Sequence, residues 1–132
     1  MISGLSHFGW VFLGGGIGSA LRFGVGRVSL ALAGPSVPLG TLIVNVLGCM
    51  AIGVLAEWLA LRDTGIGVSA KLFLTTGLLG GFTTFSAFAL DAVTLWERGG
   101  TLATVAYVAG SVILSIAGLF AGMALMRALL GS

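Results

Sequence analysis

The sequence predicts an all-α integral membrane protein with four transmembrane helices. Of its 132 residues, 58% are hydrophobic and only 8% are charged, whereas soluble domains carry about 25% charged residues. Four stretches contain the roughly 20 mostly apolar residues that a membrane helix needs. Only short segments separate them, so we expect residues 1–132 to form a single transmembrane domain with no domain outside the membrane.

The spans and their connections can be read directly along the chain. The connections "AGPSVP", "RDTGIGVS" and "ERGG" are turn-like, and Pro35 and Pro38 keep the first helix from continuing into the second. The start, "MISGLSHFGW", lacks the charge and cleavage site of a signal peptide, so we expect a retained first helix. The predicted spans are about His7–Leu32, Leu39–Leu61, Lys71–Trp96 and Thr101–Met126.

The third span contains an unusual segment, "GLLGGFTTFSAF", which runs from Gly77 to Phe88. We predict that its helix is broken near Gly80–Gly81, because glycine is a poor helix former. In lipid a break is tolerated only where protein or a cavity satisfies the freed backbone groups, and free carbonyls suit a small cation. Beyond it, Phe85 and Phe88 lie one turn apart. They either pack in an ordinary way or present positive ring edges to a small anion.

Several other polar residues lie within predicted spans. Asn45 carries an amide that needs a partner in hydrocarbon, so it either joins two helices or donates to a passing species. Arg22 is either a functional charge or extends to the membrane edge. Tyr107, Ser111 and Ser115 recur every four residues and therefore share one helix face.

Composition and motifs exclude several function classes. A net charge of +2 without a basic run gives no reason to expect nucleic acid. The segment "GGGIGSALR" follows no strand and lacks a Gly-Lys-Ser/Thr sequence, so it predicts no phosphate site. With one His and one Cys, no zinc site is expected, and Cys49 is interpreted as a buried structural thiol. We expect no enzyme, because the acidic residues lie near span ends or in loops: Glu57, Asp63, Asp91 and Glu97.

The basic residues show almost no bias between the two membrane faces. Three lie on the side of the termini and two or three on the other, depending on how the deeper Arg22 is counted. Such a bias normally sets orientation, so its absence indicates either weak topology signals in a small protein or insertion in both orientations, which allows an antiparallel homodimer and which we favour. Three G-x-x-x-G pairs allow close helix packing, either within one chain or between two. They are Gly14–Gly18, Gly77–Gly81 and Gly118–Gly122.

Four motifs together resemble the CrcB/Fluc family of fluoride channels over almost the whole chain. They are "GGGIGSALR", "PLGTLIVNVLG" (Pro38–Gly48), "TTGLLGGFTTFSAF" (Thr75–Phe88) and the Tyr107–Ser111–Ser115 face. The resemblance implies passive fluoride export through an antiparallel, dual-topology homodimer in the lipid of the cell inner membrane. It also implies a structural sodium ion at the dimer centre, held by the backbone carbonyls of Gly80 and Thr83.

The resemblance further assigns a fluoride pathway and one vestibule residue, Arg22. One departure is Ala87, which stands where many relatives have a threonine, so one hydroxyl of the polar track is missing. The residues implied to form the pathway are Asn45, Phe85, Ser86, Phe88, Tyr107, Ser111 and Ser115.

Two other functions remain open at the level of the residues themselves. A small-multidrug-type, proton-coupled exporter also has four short spans, but it needs an acidic residue deep in a helix. The first span has none, and Glu57 and Asp91 lie near span ends. The other alternative is a membrane interaction protein that transports nothing, in which glycines and hydroxyls serve only for packing.

Overall fold

The computed structural model describes residues 2–62 and 65–131. Asp63, one of the acidic residues placed in a loop, lies outside the described residues. Within these residues, four helical stretches are long and apolar enough to cross a membrane, which confirms the predicted all-helical, multi-pass class. The predicted boundaries are close. The third stretch begins at Val68 rather than Lys71, and the fourth ends at Leu130 rather than Met126.

The first, second and fourth spans are single helices, whereas the third is divided. Helices α1 (Ile2–Ala33) and α2 (Leu39–Leu61) are followed by α3 (Val68–Leu72), a π-helical segment (Phe73–Leu79) and α4 (Gly80–Phe82). Helices α5 (Phe85–Glu97) and α6 (Thr101–Leu130) complete the chain. Gly34 and Gly99 follow α1 and α5 with φ of 74° and 77°, the left-handed conformation with which glycine commonly ends a helix.

The residues between α4 and α5 are threonines, not glycines. Thr83 (φ −84°, ψ 160°) and Thr84 (φ −156°, ψ 123°) are extended, while Gly80 and Gly81 are helical. The interruption therefore lies two residues beyond the predicted position near Gly80–Gly81. Gly81 has a packing role instead, because a Cβ there would collide with the carbonyl of Gly15 in α1.

The glycine pairs bring helices together inside this chain. A Cβ on Gly14 or Gly18 would collide with the backbone around Leu78, so α1 lies directly against the third span. A Cβ on Gly122 would collide with the carbonyl of Met50, so α6 lies equally close to α2. Of the two packing modes that the sequence left open, the one within the chain accounts for these glycines.

An ion pair closes the end of the α2–α6 contact. Arg127 donates from Nε to one carboxylate oxygen of Glu57 (2.7 Å) and from Nη2 to the other (3.0 Å). Glu57 is buried, whereas most of the Arg127 side chain is exposed. This two-bonded geometry is the strong form of an arginine–carboxylate pair. The Glu57 carboxylate is thus already engaged by a cation of its own chain.

Candidate functional site

Asn45 holds the extended residues of the third span against α2. Its Nδ2 donates to the carbonyl oxygen of Thr84 (2.9 Å), and its Oδ1 accepts from the backbone N–H of the same residue (2.8 Å). The amide thus satisfies two backbone groups that lie outside any helix, which a membrane interior requires. The side-chain nitrogen of Asn45 carries two hydrogens, so its second N–H takes no part in the two bonds to Thr84.

The hydroxyl of Thr84 begins α5. Its Oγ1 accepts from the backbone N–H of Ala87 (3.1 Å), the usual bond of a helix N-cap. It also shares a hydrogen bond with Oγ of Ser86 (3.3 Å). Ala87, which lacks a side-chain hydroxyl, therefore takes part in the polar structure of this turn through its backbone.

Backbone carbonyls lose their helical donors at the same place. In a continuous α-helix, the N–H of Thr84 would bond to the carbonyl of Gly80, and that of Ala87 to the carbonyl of Thr83. Here these two N–H groups donate to Asn45 and to the Thr84 hydroxyl instead. The interruption between α4 and α5 also removes the usual donors of Gly81 and Phe82, and the two carbonyls predicted to bind sodium are among these four.

Arg22 extends toward the same carbonyls. Its Nη1 lies 3.5 Å from the carbonyl oxygen of Thr83, a long and therefore weak contact. Ser19, one turn earlier on α1, approaches the carbonyl of Gly81 at 3.5 Å. Of the two interpretations of Arg22, its position favours a charge directed at the third span over one that simply reaches the membrane edge.

Three aromatic rings form a series from the start of α5 to α6. The rings of Phe85 and Phe88 lie 5.4 Å apart between centroids, and those of Phe88 and Tyr107 lie 5.6 Å apart. Both pairs are tilted rather than stacked, a favourable arrangement for aromatic rings. Phe85 is 79% exposed, and it directly follows the extended backbone of Thr83 and Thr84.

A cavity of about 270 Å³ lies between α2, the α4–α5 junction and α6. Five of the seven predicted pathway residues are among those that line it: Asn45, Phe85, Phe88, Ser111 and Ser115. Ser86 is exposed at the start of α5, and Tyr107 is buried behind the ring of Phe88. The structure therefore brings the predicted residues to one place, with these two at its margin.

Ser111 is the buried polar group of this cavity. It is only 4% exposed, and its Oγ, although close to the Tyr107 hydroxyl, makes no hydrogen bond of good geometry among the described residues. Buried hydroxyls are nearly always bonded to protein or to water. An unpaired hydroxyl in a cavity wall indicates that the cavity holds a polar molecule or an ion.

Sequence reasoning missed the role of Asp91. Its Oδ2 accepts hydrogen bonds from Thr41 Oγ1 (2.6 Å) and from the hydroxyl of Tyr107 (3.2 Å), which links α2, α5 and α6. A phenol has a single hydrogen, so Tyr107 donates it to Asp91 and not toward the cavity. The available signal was that a tyrosine hydroxyl in an apolar span needs a partner, and Asp91 lies in the neighbouring span.

Comparison with known proteins adds an independent observation. The family model described as "CrcB-like protein, Camphor Resistance (CrcB)" matches residues 9–123. A protein named fluoride-specific ion channel FluC from Rhizobium etli is 57% identical over 119 residues, 90% of this chain and 94% of its own. Proteins of the same name from Paracoccus denitrificans (54% over 119 residues; 90% and 93% of the two chains) and Rhizobium meliloti (50% over 125 residues; 95% and 99%) are also similar.

Proposed function

The chain belongs to the CrcB family, and from that premise we propose that it is a passive, fluoride-selective channel that exports fluoride across the cell inner membrane. It is not an enzyme, since its curated relatives are ion channels. The observation that carries the proposal is the cavity beside the extended threonines, with aromatic rings and hydroxyls in its wall. We assign the pathway to Asn45, Phe85, Ser86, Phe88, Tyr107, Ser111 and Ser115, with Arg22 at a vestibule.

The cavity wall suits a small anion because it offers several weak donors and no fixed charge. The Ser111 hydroxyl and the second N–H of Asn45 can donate, and the edges of the Phe85 and Phe88 rings are positive. Conduction requires sites that attract an ion without retaining it, and uncharged donors meet that requirement. A membrane potential of 100 mV, negative inside, would drive one anion outward with about 2.3 kcal/mol, so passive transport suffices for export.

We propose that the channel is an antiparallel homodimer, with one channel domain, residues 1–132, in each copy. Two features support it. The carbonyls of Gly80 and Thr83 have lost their helical donors beside the extended Thr83–Thr84, and lipid cannot replace those bonds, so a second protein surface would shield them. The near equality of basic residues on the two sides allows that second copy to insert in the opposite orientation.

We further propose that a structural sodium ion lies at the dimer centre, bound by the Gly80 and Thr83 carbonyls of both copies. Unwound carbonyls and the C-terminal ends of broken helices are typical sodium ligands in membrane proteins, and these two carbonyls have lost their helical donors. The ion supplies a fixed positive charge that favours anion entry. Because like charges repel, its binding would displace the weak contact between Arg22 and Thr83.

Efflux from liposomes tests the function against its alternatives. Purified protein is reconstituted with fluoride inside, and efflux is followed with an ion-selective electrode while a potassium ionophore removes the opposing voltage. Passive fluoride efflux without chloride or sodium efflux is the expected result. Flux of an organic cation that depends on a proton gradient would instead indicate an exporter, and the absence of any flux would indicate an interaction protein.

A further inference from the structure

The only cysteine of the chain lies in the wall of the cavity. Cys49 follows Asn45 by one turn of α2 and lines the same space as Phe88 and Ser115. It is a free thiol of intermediate exposure, and it is therefore not the buried thiol that the sequence predicted. Its neighbour Gly48 lies directly against the Thr83 side chain, which fixes this part of α2 beside the extended residues.

A second observation indicates that the cavity next to Cys49 can hold a small molecule. Ser111, on the opposite helix α6, is 4% exposed and lines the same cavity with an unpaired Oγ. The cavity measures about 270 Å³, several times the roughly 30 Å³ that one water takes up in the liquid. The wall that carries the thiol is therefore not closed by packing, and a small molecule can lie within reach of Sγ.

We infer that Cys49 is a covalent modification site in the wall of the fluoride pathway, where a small neutral group bonded to Sγ obstructs the ion. The inference rests on the proposed function, because it assigns the cavity to fluoride. Its ligand class is a small, uncharged thiol-directed electrophile. A neutral reagent is used, so that its charge does not decide whether it reaches the cavity.

Methyl methanethiosulfonate is a suitable probe, and its reaction is balanced. The Cys49 thiol loses its proton to water, and the thiolate attacks the methylthio sulfur of the reagent. A new S–S bond joins Sγ to the methylthio group, and the bond from that sulfur to the sulfonyl breaks. Methanesulfinate leaves with the electron pair. The thiol is oxidised to a disulfide while the sulfonyl sulfur is reduced to sulfinate, and dithiothreitol reverses the modification.

The test measures fluoride efflux from liposomes before and after the reagent, and mass spectrometry of the same samples measures the modified fraction. We expect efflux of the unsubstituted protein to fall about tenfold, equivalent to about 1.4 kcal/mol of added barrier, and to recover with dithiothreitol. Cys49→Ala is the matched control. Its efflux, relative to its own untreated rate, should not respond to the reagent.

Three results would overturn the inference. They are full modification with unchanged efflux, labelling only after denaturation, and an equal response in Cys49→Ala. Failure of the proposed function is recognised separately, because untreated liposomes would then show no fluoride efflux before any reagent is added.

Discussion

At the scale of single residues, the proposed pathway adds a conducting role to the structural role of Asn45. One N–H and the Oδ1 of its amide hold Thr84, which leaves one N–H for the anion. In Asn45→Asp, a carboxylate oxygen would face the Thr84 carbonyl and the donors would be lost. A unit charge about 4 Å from fluoride repels it by roughly 4 kcal/mol at an effective dielectric of 20, so we expect fluoride efflux to fall by nearly three decades.

Acid should partly restore efflux in Asn45→Asp, because the protonated acid is neutral and can donate to Thr84 again. Asn45→Ala is the control, since it loses both hydrogen bonds without gaining a charge and should not respond to pH. Efflux and dimer yield are measured for both variants at several pH values. A stable Asn45→Asp dimer that conducts normally while its aspartate is ionised would remove Asn45 from the pathway.

The bond between Tyr107 and Asp91 makes a second prediction at this scale. Tyr107→Phe removes a hydrogen bond to a carboxylate, a type of bond that contributes about 1.5–3 kcal/mol to stability. In an Asp91→Asn background the acceptor is neutral, so the same substitution should cost less. Thermal unfolding of the two single variants and the double variant in detergent measures this coupling. Additive effects would show that the two side chains do not interact.

At the scale of helices, hydropathy suffices to predict α1, α2 and α6, but it does not locate the interruption of the third span. The glycines of the third span lie close to the interruption, but their role is close packing. The extended residues are Thr83 and Thr84. Their conformation depends on Asn45, 39 positions from Thr84, and on a threonine cap. The Asp91 bonds and the Glu57–Arg127 pair were not foreseen for the same reason, since each joins residues of different helices.

The α2–α6 contact predicts different outcomes for two glycine substitutions on one helix. Gly122→Ala places a methyl group against the Met50 carbonyl, and overpacking of this kind costs about 1–3 kcal/mol. Gly110→Ala has no atom within 4 Å of the new methyl group and gains up to about 1 kcal/mol in helix propensity. Thermal unfolding should therefore show Gly122→Ala less stable than the parent and Gly110→Ala at least as stable. The opposite order would contradict this packing.

At the scale of the whole molecule, the distribution of charge predicts two orientations. Arg62, Lys71 and Arg127 lie on the side of the termini, and Arg22, Arg27 and Arg98 lie toward the other. An accessible tag at the C-terminus should therefore be labelled from outside on about half of the copies in intact cells, because neither orientation is favoured. An added Arg-Arg pair in one connection should bias the ratio. Labelling from one side only would rule out the antiparallel dimer.

The central claim is that the cavity beside Phe85 and Phe88 conducts fluoride, and its most direct test is efflux through Phe85→Ile and Phe88→Ile. Isoleucine retains an apolar side chain but has no positive ring edge. Phe85 is 79% exposed in a single copy, so its replacement should leave the fold of each copy intact, and size-exclusion chromatography checks separately that the dimer still forms. Phe120→Ile is the control, because Phe120 is also exposed, at 65%, but lies on α6 and is not among the cavity residues. We predict that fluoride efflux falls at least tenfold, about 1.4 kcal/mol in barrier, in both cavity variants and stays at the parent rate in Phe120→Ile. Parent-level efflux from intact Phe85→Ile and Phe88→Ile dimers would contradict the claim.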